Sequence, residues 1–194
     1  MNMEVYGDEA GGNFYVRQAI ELGLLKKDSV IADCVMVGNK GFDPWGLSTP
    51  QNIKWMREAE LKHGRMCQLA WLGYVAVDLG IKFPGEKYAA LTSFAAHDAT
   101  AKYELFMALL FVGTFETIGF SQIYSMTEGS DREPGDFGFD PLGFAKKDKA
   151  RLELAEIKNG RLAMLGFSGM IHGNFITGKG PIAALTSLDW HQKF

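Results

Sequence analysis

Two short blocks of this 194-residue chain occur twice, in the same order. Gly41-Phe42-Asp43-Pro44-Trp45-Gly46-Leu47-Ser48 returns as Gly138-Phe139-Asp140-Pro141-Leu142-Gly143-Phe144-Ala145. Glu60-Leu61-Lys62-His63-Gly64-Arg65 returns as Glu156-Ile157-Lys158-Asn159-Gly160-Arg161. The offset is 97 residues for the first block and 96 for the second, so one gap aligns the copies. The first block is a cluster of turn formers, the second lies in a helical pattern, and one further helix separates the copies. If all three helices cross a bilayer, the copies enter from the same side, related by a pseudo-two-fold along the membrane normal.

Long helical patterns cover about 51–81, 101–127 and 149–177, the first announced by Ser48-Thr49-Pro50 as a helix start. Their uncharged stretches are short: Met66–Val77 in the first, two halves split by Glu116 in the second, Leu162–Gly178 in the third. None reaches the ~18 apolar residues usually demanded of a spanning helix, and the third comes closest. Length argues the other way. About 30 residues at 1.5 Å each give ~45 Å, more than a globule of this size needs and enough to cross a bilayer with tilt. The expected fold is an all-α membrane protein with three transmembrane helices, the first and third crossing, in a domain spanning 51–182. An irregular segment, 1–50, precedes it, with a short surface helix expected in Gln18–Lys27, and a tail follows at 183–194. Met1–Gly12 is acidic and not enriched in Arg or Ser, which reads as a processed chain and not as a signal or transit peptide.

Composition taken alone looks soluble: 47% apolar, 22% charged, mean hydropathy −0.05, net charge −3. It excludes disorder, and two cysteines, Cys34 and Cys67, exclude a disulfide scaffold. No surplus of Lys and Arg is present to neutralise phosphates, so no nucleic acid partner is expected. The 23 glycines, 14 phenylalanines and 9 methionines do not suit a small soluble enzyme. Gly64, Gly73, Gly113, Gly119, Gly160, Gly166 and Gly169 fall inside apolar helical segments, where each costs roughly 0.5–1 kcal/mol against Ala. Accepting that cost repeatedly points to close approach of another backbone or a bulky ligand.

Glu60 and Arg65 are five residues apart, about 500° of helix rotation, which leaves them roughly 140° apart and unable to pair as residues at three or four do. Glu156 and Arg161 repeat the problem. Two such helices about a pseudo-two-fold solve it reciprocally, Glu60 with Arg161 and Glu156 with Arg65, while Gly64 and Gly160 let the backbones meet. Charges inside a bilayer are costly and mark function. Each carboxylate also lies three residues before a metal-capable side chain, His63 or Asn159, and Glu116 sits on the middle helix. Spread over three helices, Glu60, His63, Glu116, Glu156 and Asn159 suit separate metals with one protein ligand each; magnesium in a chlorin ring needs a single axial ligand. Taken singly, a Glu/Arg pair is usually a solvated ion pair and a lone His a surface or packed residue. Duplicated beside repeated turns, they read as one arrangement.

These blocks resemble the light-harvesting chlorophyll-binding family of plastid thylakoids, over about residues 41–182. Phe139–Phe144, Glu156–Met164 and Thr177–Pro181 look like that family's third helix and its flanks, and Glu60–Arg65 like its first. Asp78-Leu79-Gly80-Ile81-Lys82-Phe83-Pro84 looks more like red-lineage algal members, photosystem I-type or fucoxanthin and chlorophyll a/c-type, than green plant ones. The resemblance implies that Glu60 and Glu156 ligate chlorophyll magnesium while pairing with Arg161 and Arg65, and that His63, Asn159 and Glu116 each ligate another chlorophyll. It implies that the turns Phe42-Asp43-Pro44 and Phe139-Asp140-Pro141 hold the end groups of two carotenoids. The family's late third-helix glutamine ligand falls at Gly173, with His172 beside it as the substitute, turned by ~100°. Its second-helix glutamine falls at Ala108, and the histidine after the third helix aligns with Leu188, with His191 three residues on as a candidate ligand. His97, before the second helix, reads as structural. No metal beyond chlorophyll magnesium is implied.

The expected function is a multi-pass antenna of the plastid thylakoid membrane that holds chlorophyll a, with chlorophyll c or none as the second chlorophyll, and carotenoids or xanthophylls. Its expected partners are a photosystem core, photosystem I favoured, neighbouring antenna subunits and thylakoid lipids. No nucleophile–base arrangement, phosphate loop or His-Glu-x-x-His motif argues for an enzyme. Two alternatives stand beside it: a photoprotective, energy-dissipating member of the same family, and a small repeat-built membrane transporter.

Overall fold

A computed structural model describes residues 12–27, 29–33, 36–89 and 91–186. Among them, all regular structure is helical: α1 Gly12–Glu21, α2 Val30–Asp33, α3 Ile53–Asp78, α4 Glu86–Ala89, α5 Ala96–Ala99, α6 Lys102–Thr127, α7 Ala145–Thr177 and α8 Pro181–Thr186. The three long helices are α3, α6 and α7, and capping marks both ends of α3 and the start of α7. Ahead of α3, the Thr49 amide donates to Asn52 Oδ1 at 2.8 Å and the Asn52 amide to Thr49 Oγ1 at 3.3 Å. This is a reciprocal capping box, with Pro50 in the turn that leads into the helix. α3 stops before Gly80, whose φ of 87° turns the chain while the Ile81 amide donates back to the Ala76 carbonyl at 2.9 Å. α7 carries an extra first turn, broken at Asp148 (φ −158°, ψ 70°). Asp148 Oδ1 accepts the Arg151 amide at 3.3 Å as an N-cap, so the main helix begins at 149 as expected.

α6 corrects one expectation. Among the described residues it is the one helix long and apolar enough to cross a membrane, and none of its qualifying stretch is buried. Counting uncharged runs favoured the third helix because Glu116 interrupts the second. Glu116 alone in the long apolar stretch after Glu104 lowers the hydropathy of α6 little, whereas the first half of α7 is rich in charge. Three hydroxyls midway along α6 bond back to the helix: Thr114, Thr117 and Ser121 donate to the carbonyls of Phe111, Gly113 and Ile118 at 2.7–2.8 Å. Such back-bonding is what an apolar solvent demands. At 1.5 Å per residue α6 is ~39 Å long, against a hydrocarbon core of ~30 Å.

The chain forms two compact units, Met1–Lys62 with Gln122–Lys158, and His63–Ser121 with Asn159–Phe194. In the first, α1 packs through Val16 and Ala19 against Leu25, with Ile20, Ile31 and Ala32 around them. α1 starts and ends earlier than the expected helix at Gln18–Lys27, because the chain turns at Gly23 (φ 72°) to bring Leu25 back into that cluster. In the second unit, α3 and α7 pack through small and aromatic residues. Trp71 covers Gly166, and the Tyr74 and Phe167 rings meet edge to face at 6.0 Å. α8 occupies the start of what was expected to be tail, and Asp78 at the end of α3 holds it, Oδ2 accepting the Ile182 amide at 2.7 Å.

Candidate functional site

The repeated turns share one geometry. Asp43 accepts the Leu47 and Ser48 amides through Oδ1 and Oδ2 at 3.0 and 3.1 Å, and Asp140 accepts those of Phe144 and Ala145 at 3.1 and 3.0 Å. Gly46 and Gly143 both have φ of 66°, a left-handed conformation that costs a residue with Cβ roughly 1–2 kcal/mol. The chemistry is that of an Asp-anchored turn, in which one carboxylate closes a five-residue loop. The surroundings differ. Asp43 is buried and Asp140 exposed. Burial alone would raise the Asp43 pKa, but the hydrogen bonds from Leu47, Ser48 and Gly46 outweigh it and hold the carboxyl below its usual value. Pro44 and Pro141 are exposed, and Phe42 and Phe139 project with 67% and 86% of their surface open.

The helix blocks meet at their glycines. A Cβ on Gly64 would lie 2.9 Å from Gly160 Cα, and one on Gly160 would lie 3.1 Å from Gly64 Cα. That is the close approach the paired glycines were read to permit. In the same sequence blocks, Glu60, Glu156, Arg65 and Arg161 are half-buried, and His63 on α3 and Asn159 on α7 are exposed. Glu116 is exposed midway along α6. His172, late in α7, is also exposed and its Nδ1 donates to the Ser168 carbonyl at 2.8 Å. His191 lies outside the described residues. His97, on α5, is exposed with Nδ1 3.1 Å from Asp98 Oδ1.

Several polar contacts escaped sequence reasoning. Arg57 Nη1 donates to Glu60 Oε2 at 2.8 Å, a pairing at a spacing of three that was legible and overlooked. Glu58, 3% exposed, accepts Arg132 Nη1 and Nη2 at 3.1 and 3.3 Å and the Gly135 amide at 2.6 Å. It ties the segment after α6 to α3, just ahead of the second turn. Its counterpart in the other copy is Leu154, so the repeat gave no sign of it. Glu104 accepts the Ala101 amide, Tyr88 hydroxyl and Lys87 ammonium at 3.1, 3.1 and 3.3 Å, pinning the start of α6.

Pigment suits this chemistry. Leu109, Phe111, Phe115, Ile118 and Phe120 on α6 are each more than half exposed. Each such side chain left in water costs roughly 1.5–3 kcal/mol, so this surface calls for apolar cover. Among the described residues no three His, Cys, Asp or Glu side chains cluster to hold a bare ion. The sequence profile described as chlorophyll A-B binding protein matches residues 32–175, which include both copies of the repeat and the helix between them. The chain belongs to the chlorophyll a-b binding protein family. Its relatives include chlorophyll a-b binding protein 4 of Arabidopsis thaliana, 34% identical over 176 residues, 80% of this chain and 69% of that one. The fucoxanthin-chlorophyll a-c binding protein of Chattonella marina var. antiqua is 34% identical over 155 residues, 74% of this chain and 68% of that one. Photosystem I chlorophyll a/b-binding protein 5 of Arabidopsis thaliana is 32% identical over 187 residues, 81% and 72% of the two chains. Equal identity to a plant a-b protein and to an algal a-c protein means that identity does not favour either lineage.

Proposed function

We propose that this chain is a three-helix light-harvesting antenna of the plastid thylakoid membrane, holding chlorophylls and carotenoids and passing excitation energy to a photosystem. The observation that carries the reading is the family match across residues 32–175, which takes in both copies of the repeat. Chlorophyll and carotenoid supply the excited states; the chain supplies position. Glu60, His63, Glu116, Glu156 and Asn159 are each assigned one magnesium. Glu60 with Arg161, and Glu156 with Arg65, neutralise charge beside the crossing that Gly64 and Gly160 permit. α3, α6 and α7 span the bilayer, α3 and α7 related by a pseudo-two-fold. The two Asp-anchored turns hold Phe42 and Phe139 where carotenoid end groups rest. The wording at Asp78–Pro84 favours a red-lineage member, and the photosystem I names among the relatives favour that core as its partner.

The test is energy transfer in the purified complex. Light absorbed by carotenoid must appear as chlorophyll fluorescence, with an excited-state lifetime long enough for transfer onward. Strongly shortened lifetimes in the isolated protein would instead give it a dissipating role.

A further inference from the structure

We propose that Glu58 is a positioning residue for the second turn, acting through Arg132 and Gly135 to set where Phe139-Asp140-Pro141 holds its carotenoid end group. This rests on the antenna reading, which seats one carotenoid end group at each turn, and adds to it how the second seat is fixed. The duplication extends ahead of the turns. The Asn39 amide donates to the Met36 carbonyl at 3.1 Å and the Asp136 amide to the Glu133 carbonyl at 3.2 Å, at the same offset of 97 residues. The Gly41 amide then donates to Asn39 Oδ1 at 2.9 Å, and the Gly138 amide to Asp136 Oδ1 at 2.8 Å. Each copy is a double turn with the same internal bonds, and the two differ in what anchors them.

The first double turn is anchored by packing. A Cβ on Gly41 would lie 3.0 Å from Val16 Cα and 3.1 Å from Ala19 Cβ on α1, and the Asn39 side-chain amide donates to the Ile31 carbonyl at 2.9 Å. At the second, a Cβ on Gly138 would meet nothing within 4 Å, and the Asp136 carboxylate has no N–H with which to donate as Asn39 does. Charge takes the place of packing. Arg132 offers both terminal nitrogens to the buried Glu58 and its Nε to the Asp136 carbonyl at 2.7 Å, and its guanidinium carbon lies 4.6 Å from the Phe137 ring centre. One guanidinium thus joins α3 to the turn. Glu58 also accepts the Gly135 amide, three residues before Gly138. Lys149, paired with Glu133, closes the loop from the α7 side, but an exposed pair of this kind holds little. The buried clasp is the anchor.

To test this, the full chain is assembled with a plastid pigment extract as wild type, Glu58→Ala, Asp140→Ala and Asp43→Ala, the last two each opening one turn. Carotenoid per polypeptide is counted after extraction, with absorption difference spectra against wild type. Glu58→Ala is expected to lose one carotenoid and to give the difference band of Asp140→Ala, not that of Asp43→Ala. Glu58→Ala joined with Asp140→Ala is expected to lose no more than either alone. Arg132→Gln, a milder change that leaves Glu58 its Gly135 amide, is expected to lose the same band, and Glu58→Gln, whose oxygen still accepts, to keep it. Glu58→Ala and Arg132→Gln chains that retain both carotenoids, or lose both bands equally as general loosening would, overturn the positioning role and leave the antenna reading intact. Asp43→Ala and Asp140→Ala chains that each retain both carotenoids overturn the seating of carotenoid at the turns. A wild-type chain that takes up no pigment overturns the antenna reading itself.

Discussion

Gly64 on α3 and Gly160 on α7 approach so closely that neither position has room for a methyl group, a Cβ on Gly64 falling 2.9 Å from Gly160 Cα. Helix propensity favours replacing each of them by about 1 kcal/mol, and backbone contact forbids it. Gly64→Val or Gly160→Val is therefore expected to destabilise the assembled protein by ~1–3 kcal/mol, the usual cost of overpacking. Gly113→Ala and Gly169→Ala, where a Cβ meets nothing, are expected to be neutral or mildly stabilising. Thermal loss of visible circular dichroism, compared across the four variants, checks the contrast; equal effects at all four positions would remove the crossing from the account.

The buried carboxylate of Glu58 holds a guanidinium and a backbone amide at once. Removing it leaves Arg132 and the Gly135 amide without it, and breaking a buried pair costs roughly 3–5 kcal/mol. Glu58→Ala is expected to fall in that range. Joined with Arg132→Ala, it is expected to cost less than the two singles added. Denaturation of the four chains in the cycle measures the coupling; strict additivity would mean the pair contributes nothing of its own.

Asp43 gives the first turn a pH dependence. Its carboxyl is held below its ordinary value of 3.8, so its contribution is fully present above that value and is lost as pH falls through the folded value. Asp43→Asn removes the charge and is expected to cost about 1–3 kcal/mol at neutral pH, and to flatten the acid limb of the stability curve. The check is a series of melting temperatures from neutral pH down past 3.8. Identical acid limbs for the two proteins would remove Asp43 from the titration.

How much of this was legible follows from sequence distance. The turns were readable because Asp43 and Asp140 bond to amides only four and five residues on, so composition and geometry coincide. The glycine crossing was readable because duplication exposed it. Glu58 and Arg132 are 74 residues apart, and position 154 in the second copy is leucine, so neither periodicity nor repetition could flag them. The protonated nitrogen of His172 depends on where a carbonyl four residues back points, which spacing makes possible and only the structure establishes.

Gly180 is held to glycine by a side-chain contact. A Cβ there would overlap the Asp78 carboxylate that caps α8. Gly180→Ala is expected to push the carboxylate from the Ile182 amide and loosen α8. Hydrogen exchange over 181–186 should rise severalfold against wild type while α3 stays protected; unchanged exchange would mean that α8 is held by something else.

The central claim is that pigment is part of this protein's folded state. The most direct measurement is pigment extraction and chromatography of the purified complex, with pigments counted per polypeptide. The account predicts several chlorophylls and at least two carotenoids per chain, with one chlorophyll fewer in His63→Ala. A colourless chain that folds with its long helices intact would contradict it.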